Sequence, residues 1–167
     1  MNKIGVLDYG AGNLNSVFKI LKKLNATTLI VKNKNNLKNI DKLIIPGVGS
    51  FEACIKYLKK KELVIPLKKF VVNNPTLAIC LGMQILMNKS EEANDCKGLS
   101  ILDGNVELIS KFNKNAMVPH IGWTKLLVKN NSNKNFFTVF KDKYFYYSNS
   151  YVCNLNKLYP QRCFFFT

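Results

Sequence analysis

Short apolar segments alternate with stretches of helical periodicity in the first half of the chain, and this alternation restricts the fold more than any other feature. Four segments are typical of buried parallel strands: residues 4–9, 27–31, 43–45 and 76–79. Helical spacing follows the first of them, from Leu14 to Leu24. Further helices are predicted at 51–58, 66–72 and 81–87. Alternating βα units of this length predict an open, mostly parallel sheet with helices on both faces.

The second half of the chain has a different pattern. Strand-like segments are separated by Asn, Lys and Gly turns, which favours antiparallel pairing. These segments lie at residues 106–109, 125–128, 136–140 and 144–147. A polar run at 129–135 is predicted to be the longest loop. Because no repeat or linker is visible, the 167 residues are interpreted as one domain.

Composition excludes several classes of protein. Apolar residues make up 47% and charged residues 21% of the chain, which is typical of a soluble globular protein. Lys or Asn interrupts every apolar run before it reaches the roughly 20 residues of a membrane helix. The first residues do not resemble a secretory signal. We therefore expect a cytoplasmic protein without a membrane partner.

The net charge of +15 raises nucleic acid as a partner. The basic residues are nearly all Lys, however, and they are spread along the chain instead of clustering with aromatic residues. Arg, which reads base edges best, occurs once, at Arg162. The charge is therefore interpreted as a solvated lysine surface, and no nucleic acid is predicted.

The chain contains five cysteines and one histidine. No two cysteines form a CxxC pair, so the sequence predicts no zinc site. An odd number of cysteines in a cytoplasmic chain indicates free thiols. Cys54, Cys96 and Cys153 are interpreted as ordinary structural residues.

The motif that carries most chemistry is TLAICLGMQ at residues 76–84, where an apolar strand runs directly into Cys80. Small residues, Ala78 and Gly82, stand two positions before and after it, as in the sharp strand-to-helix turn that presents a nucleophile. Such a turn lies at the carboxyl end of its strand, where open α/β sheets place their sites. A thiol at a helix start is also predicted to favour the thiolate. Cys80 is therefore predicted to be a nucleophile.

Two further segments are candidates for the same site. The loop PGVG at residues 46–49 follows a strand, and its glycines allow backbone N–H groups to point at a ligand, as in an oxyanion hole. It lacks the Lys-Ser/Thr ending of a P-loop. The segment VPHIGW at 118–123 holds His120 and Trp123, the only His and the only Trp. A Cys80–His120 dyad is one hypothesis for the base.

Five segments together resemble the glutaminase subunits of imidazole glycerol phosphate synthase, which are class I, Cys-triad glutamine amidotransferases. In order, they are LDYGAGNL at 7–14, IPGVGSF at 45–51, ICLGMQ at 79–84, KGL at 97–99 with GNV at 104–106, and PHIGW at 119–123. The PHxGW segment separates these subunits from other class I amidotransferases. The resemblance covers residues 1 to about 152 and implies a flavodoxin-like, mostly parallel open sheet with helices on both faces.

The resemblance also implies a site. Cys80 would attack the side-chain amide of glutamine and form a glutamyl thioester, and the N–H groups of Val48 and Leu81 would bind the oxyanion. The implied oxyanion-hole residues are Gly47, Val48, Gly49 and Leu81. The implied substrate-binding residues are Gln84 and Gly82. No metal and no organic cofactor is implied.

A partner follows from the same resemblance. Ammonia would pass to a cyclase subunit, a (β/α)₈ barrel, in a heterodimer that makes imidazole glycerol phosphate in histidine biosynthesis. The complex would combine hydrolase and lyase chemistry. Asn13, His120 and Trp123 would lie at the interface with that barrel.

The chain departs from the family at three places. Ala78 replaces a Gly before the nucleophile, which its small size should allow. Asn149 stands where biosynthetic members usually have His. Such a change would suit an amidotransferase paralogue of a surface-sugar pathway. The family's His-x-Glu motif, which holds the triad's base and acid, is absent, and His120 matches PHxGW instead. A cysteine nucleophile needs an oriented base, so impaired activity is expected.

The last ten residues, LYPQRCFFFT at 158–167, contain the only Arg and three consecutive Phe. We interpret these residues as read out of frame. The family's last strands and helix would then be missing, and an edge of the sheet would be uncovered. A native short end is the alternative interpretation. Three functions stay open: a glutaminase subunit that has lost its C-terminus, a catalytically dead subunit that still docks on the barrel, and a sugar-pathway amidotransferase.

Overall fold

The structure is a computed structural model that describes residues 2–126, 140, 142–156 and, as backbone only, 163–166. It divides into two compact units. The first unit comprises Met1–Glu107 and Val152–Thr167, and the second comprises Leu108–Tyr151. The single domain expected from the sequence stays a prediction.

A five-stranded parallel sheet forms the centre of the first unit. Its strands are β1 (Lys3–Leu7), β2 (Thr27–Val31), β3 (Lys42–Ile45), β4 (Thr76–Ile79) and the strand Cys163–Phe166, which is β11 in chain order. The spatial order is β11-β4-β3-β1-β2. All four neighbouring pairs are parallel. The open, parallel α/β architecture expected from the alternating pattern is therefore confirmed.

Five helices connect these strands or follow them. They are α1 (Leu14–Lys23), α2 (Lys34–Leu37), α3 (Phe51–Lys60), α4 (Val64–Asn73) and α5 (Leu81–Gln84). The chain moves in opposite directions across the sheet from β1 to β2 and from β2 to β3. Right-handed crossovers therefore put α1 on one face and α2 on the other, where α2 packs against α4.

The core of the first unit explains why the strands have this sequence. Parallel strands covered on both faces need apolar residues with little alternation, and Val6 and Leu7 of β1 are both fully buried. Leu43, Ile45 and Ala78 on the neighbouring strands are buried with them. The carboxyl ends of β1, β3 and β4 therefore lie at one edge of the sheet, and the loops that follow these strands are close neighbours.

The remaining strands form two smaller sheets. Four of them, β5 (Lys89–Ser90), β6 (Ala93–Lys97), β7 (Gly104–Leu108) and β10 (Tyr151–Leu155), are ordered β10-β7-β5-β6. In the second unit, β8 (His120–Lys125) and β9 (Tyr144–Asn149) form an antiparallel pair. A short 3₁₀ turn at Ile109–Lys111 precedes that pair. The predicted antiparallel pairing is found in β5–β6 and β8–β9, while β5 and β7 pair in parallel.

Several local predictions need correction. The helix predicted at 81–87 ends at Gln84, and the residues after it turn back through bonds such as Leu86 N–H to the Met83 carbonyl. Of the strand predicted at 125–128, only Lys125 lies in a described strand, as the last residue of β8. Residues 127–139, which include the predicted loop 129–135 and most of the strand predicted at 136–140, lie outside the described residues. The reading of 158–167 as out of frame stays a prediction, although the backbone of residues 163–166 pairs along β4.

Candidate active site

Cys80 stands in a strained turn between β4 and α5. Its backbone has φ +47° and ψ −114°, a conformation that residues with a Cβ rarely adopt. Gly82 is required by packing, because a Cβ there would overlap the Ile45 carbonyl oxygen and lie 2.9 Å from the Ile45 Cγ2 atom. Ala78 is fully buried. The geometry matches the strained strand-to-helix turn predicted from the small residues around Cys80.

The loop at residues 46–49, here called the oxyanion loop, packs directly against this turn. A Cβ on Gly47 would overlap the Ile79 carbonyl oxygen and lie 2.8 Å from the Cys80 Cβ. Gly49 has φ +129°, a backbone conformation that L side chains rarely adopt. The two loops meet because β3 and β4 are adjacent, with Ile45 opposite Ala78 in the register. We call the loops at 8–13, 46–49 and 80–84 together the nucleophile edge.

The surroundings of Cys80 hold its thiol protonated. Desolvation by burial raises the pKa of Cys80 above its ordinary value, the Leu81 N–H opposes this by hydrogen bonding to the sulfur, and the Glu92 carboxylate raises it further. The sequence predicted a thiolate favoured by a helix start. The Leu81 N–H at the start of α5 does lower the pKa of the thiol, but desolvation by burial has the larger effect and the net pKa is raised.

The two N–H groups proposed for the oxyanion hole are in different situations. The Leu81 N–H is close enough to the Cys80 thiol to lower its pKa. The Val48 N–H instead donates to the Tyr9 Oη at 3.1 Å. The Tyr9 hydroxyl is in turn within donating distance of the Pro46 carbonyl oxygen at 2.9 Å and the Val48 carbonyl oxygen at 3.1 Å. The structure thus brings the oxyanion loop to the nucleophile with one of its donors already engaged.

Gln84 lies one turn after the nucleophile on α5. Its backbone N–H donates to the Cys80 carbonyl oxygen at 3.0 Å, and the residue is only 7% exposed. A buried amide next to a nucleophile is consistent with the substrate-binding role that the resemblance implies, and that role stays a prediction. Gly82 packs against Ile45 of β3, and its implied substrate-binding role also stays a prediction.

Glu92 is a residue of this site that sequence reasoning missed. Its Oε1 accepts a hydrogen bond from the Phe51 N–H at 3.2 Å, at the start of α3. Its charge is also close enough to Cys80 to raise the pKa of the thiol. The pair Glu91-Glu92 is the only acidic dipeptide in the sequence. In a chain with ten acidic residues, that pair was the available signal.

Asn13 has a local structural role. Its side chain caps α1 by accepting a hydrogen bond from the Ser16 N–H at 3.1 Å. The residue is exposed at the end of the nucleophile edge. The interface role predicted for Asn13 is untested, and its place in the sequence is already explained by capping.

His120 and Trp123 both lie on β8 in the second unit. The His120 Nε2 is hydrogen bonded to the Thr124 Oγ1 at 2.9 Å. Trp123 is 69% exposed and packs edge-on against Tyr146 across the pair, with ring centroids 5.7 Å apart. Because Cys80 belongs to the other unit, the hypothesis of a Cys80–His120 dyad stays a prediction.

Alternation along β8 and β9 produces an exposed apolar surface. Trp123 is paired with Tyr146 in the register, and Ile121 and Tyr144 lie on the same side of the two strands. All four side chains are exposed by more than half. We call Ile121, Trp123, Tyr144 and Tyr146 the aromatic face. Exposed apolar groups of this kind mark interaction sites.

The described residues contain no cluster of three or more His, Cys, Asp or Glu side chains that could hold a metal ion. Cys54 is buried on α3, where desolvation raises the pKa of its thiol to about 12. Burial also raises the pKa of Cys153 to about 12, with a smaller contribution from nearby Cys80. No helix in the described ranges is long and apolar enough to cross a bilayer.

Sequence comparisons agree with this geometry. The family profile named "Glutamine amidotransferase class-I" matches residues 5–165. The imidazole glycerol phosphate synthase subunit HisH of Prochlorococcus marinus is 46% identical over 124 residues, 74% of this chain and 57% of the relative. The HisH subunit of Caldanaerobacter subterraneus is 40% identical over 156 residues, 92% of this chain and 74% of the relative. The chain thus spans less than two thirds of the first of these relatives.

Solved structures share the fold. A crystal structure of a glutamine amidotransferase superposes with a TM-score of 0.70 at 19% identity, covering 94% of this chain and 75% of the other. A glutamine amidotransferase from Thermotoga maritima has a TM-score of 0.57 at 21% identity, covering 92% of this chain and 63% of that one. At these identities the likeness concerns the fold alone.

Proposed function

The chain belongs to the class-I glutamine amidotransferase family, and from that premise we propose that it is the glutaminase subunit of an imidazole glycerol phosphate synthase. In this role it hydrolyses glutamine to glutamate and ammonia and delivers the ammonia to a cyclase subunit in histidine biosynthesis. The observation that carries the proposal is Cys80, held at φ +47° in a strained turn against the oxyanion loop. The similarity to HisH subunits supports the choice of pathway.

The chemistry begins with the Cys80 sulfur. Its lone pair attacks the amide carbon of the glutamine side chain, and the carbonyl oxygen becomes an oxyanion. The Leu81 N–H, beside the nucleophile, is proposed as one donor to that oxygen, and the Val48 N–H is the second donor once released from Tyr9. The C–N bond then breaks, the NH₂ group takes up the proton lost by the thiol and leaves as ammonia, and water hydrolyses the thioester to glutamate and restores the thiol.

The first step requires a base, because the raised pKa of Cys80 leaves its thiol protonated near neutral pH. In the family that base belongs to a His-x-Glu motif, which these 167 residues do not contain. We therefore propose that hydrolysis by these 167 residues is slow, because they lack the His-x-Glu pair that supplies and orients the base.

Recognition of glutamine is assigned to groups around Cys80. The Glu92 carboxylate is unfavourable to a thiolate, so a role in activating the nucleophile does not explain its position. A carboxylate close to the nucleophile suits the α-ammonium group of an amino-acid substrate. Gln84 offers a side-chain amide from the buried side of the same turn. Both assignments are part of the proposal.

The partner is proposed to be the cyclase subunit, a (β/α)₈ barrel, in a heterodimer located in the cytoplasm. The aromatic face supports a protein partner, since exposed Trp and Tyr side chains are enriched at interface centres. Trp123 is the side chain that we assign to the centre of the contact, with His120 beside it on β8. Asn13 is assigned to the same interface from the first unit.

A second candidate function is a docking subunit without turnover. Two observations favour it: a thiol held protonated by burial, and a Val48 N–H already engaged by Tyr9. A third candidate, an amidotransferase of a surface-sugar pathway, rests on Asn149, whose side-chain Oδ1 is buried without a hydrogen-bond partner among the described residues. The three candidates share the fold and differ in turnover and acceptor.

The test is glutamine hydrolysis by the full chain, with and without the cyclase subunit, together with intact-mass detection of a glutamyl adduct. We expect a Cys80-dependent adduct, lost in Cys80→Ala and kept in Cys96→Ala, a matched change at a cysteine on β6. Adduct formation without turnover would favour an impaired enzyme. Cyclase binding with neither adduct nor turnover would favour the docking subunit and reject the glutaminase.

A further inference from the structure

The Tyr9 hydroxyl is hydrogen bonded to three backbone atoms of the oxyanion loop, and we call these three hydrogen bonds the clasp. It accepts a hydrogen bond from the Val48 N–H at 3.1 Å, and its own proton is shared between the carbonyl oxygens of Pro46 at 2.9 Å and Val48 at 3.1 Å. No role was assigned to Tyr9 from the sequence. The hydroxyl thus bonds to one atom of each of the three successive peptide groups between Pro46 and Gly49.

The position of Tyr9 follows from the sheet. Tyr9 lies two residues after β1, and β1 pairs with β3, whose end leads into the oxyanion loop. The side chain is only 2% exposed, and burial raises its pKa to about 12, so the group stays a neutral hydroxyl at ordinary pH. Cys80 is close enough to contribute to that pKa. The clasp is therefore a buried feature beside the nucleophile.

One N–H group cannot serve both Tyr9 and an oxyanion. While the Val48 N–H donates to the Tyr9 hydroxyl, it is not offered to the developing charge on the substrate oxygen. Val48 itself is 58% exposed and stands between two glycines, of which Gly49 already has φ +129°. Glycines on both sides give the intervening peptide freedom to rotate, because they lack the Cβ that restricts other residues.

We propose that Tyr9 is a positioning residue that keeps the oxyanion loop in a resting state, so that release of the Val48 N–H from its hydroxyl limits basal glutamine hydrolysis. The inference rests on the proposed glutaminase function. It concerns the transition state only, since the oxyanion forms after glutamine has bound. Loss of the hydroxyl should therefore raise kcat and leave KM unchanged.

The experiment compares Tyr9→Phe with the wild-type full chain, alone and with the cyclase subunit. L-γ-Glutamyl-p-nitroanilide is the substrate, followed by p-nitroaniline absorbance and by intact-mass detection of the Cys80 thioester. A single neutral hydrogen bond shifts such an equilibrium by roughly two- to tenfold. We expect kcat to rise by that factor in Tyr9→Phe, with KM within twofold of wild type.

Two controls separate the clasp from other effects. Tyr57→Phe removes a hydroxyl from a tyrosine on α3 whose ring lies beside Gly10, and it should leave kcat unchanged. Cys80→Ala and the double variant Tyr9→Phe/Cys80→Ala should not react. A folded Tyr9→Phe protein whose Cys80-dependent kcat is equal to or below wild type would overturn the clasp. Absence of any Cys80-dependent reaction in all proteins would instead reject the glutaminase function, and the clasp with it.

Discussion

Two regions each contain a glycine from a sequence motif: the nucleophile edge of the first unit and the β8–β9 pair of the second unit. The two positions require glycine for different physical reasons. A Cβ on Gly47 would meet the backbone of Ile79 and the Cβ of Cys80. A Cβ on Gly122 would meet nothing within 4 Å, and that residue instead has φ +147°. Glycine is required by packing in one region and by backbone conformation in the other.

The aromatic residues of the two regions differ in the same way. Tyr9 is buried under the oxyanion loop, and its hydroxyl is fully occupied by backbone groups. Trp123 and Tyr146 are exposed by more than half and contact each other across two strands. The proposed nucleophile thus lies where the backbone is crowded, and the proposed partner surface lies where aromatic side chains are exposed.

The largest effect is expected from Gly47→Ala. The new methyl group would displace the end of β4 and Cys80 itself, so we expect a loss of about 4 kcal/mol in the free energy of unfolding and loss of Cys80 adduct formation. The matched change, Gly122→Ala, adds only backbone strain, of about 1–3 kcal/mol. Chemical denaturation of both variants measures the difference. Equal destabilisation would contradict the packing argument.

The next effect concerns the aromatic face. Trp123→Ala removes an exposed side chain, so we expect a change of less than about 0.5 kcal/mol in folding stability. We expect the Kd for the cyclase subunit to rise about 30-fold, since a central tryptophan contributes about 2 kcal/mol to an interface. Phe112→Ala, an exposed aromatic residue outside β8 and β9, is the control. Calorimetric titration that finds both variants equal to wild type would remove Trp123 from the interface.

The sequence predicted the sheet well because parallel strands leave little choice. The strands at 27–31 and 76–79 coincide with β2 and β4, since β-branched and aliphatic runs bounded by turns have few alternatives. The short elements were missed. β5 has two residues and β6 carries polar side chains such as Asn94 and Asp95, so neither shows a hydrophobic period.

The site was predicted in part for a related reason. Local motifs identify residues that must be small or reactive, and Ala78, Cys80 and Gly82 were found in this way. They do not show which distant groups fold against them. The Tyr9 hydroxyl meets Val48 across 39 positions of sequence, and Glu92 meets the start of α3 across 41. Burial, which raises the pKa of Cys80, was likewise invisible before the fold was known.

A smaller effect is expected from Glu92→Gln. The Glu92 charge raises the pKa of Cys80, so its removal lowers that pKa and increases the thiolate fraction at any pH below it. Because the carboxylate is exposed and screened, we expect only about a twofold faster alkylation of Cys80 by iodoacetamide at pH 8. In both proteins the rate should still rise with pH through the alkaline range. A slower reaction in Glu92→Gln would contradict the sign of this interaction.

A comparison at Asn13 decides whether the nucleophile edge shares in partner recognition. Asn13→Ala removes the hydrogen bond to the Ser16 N–H, so we expect a loss of about 1 kcal/mol in unfolding free energy. Asn13→Asp keeps an acceptor for that N–H and should preserve stability. An interface role predicts that Asn13→Asp nonetheless weakens cyclase binding, because the side-chain NH₂ is lost. If Asn13→Asp binds the cyclase like wild type while Asn13→Ala melts earlier, capping alone explains the residue, and recognition belongs to the aromatic face.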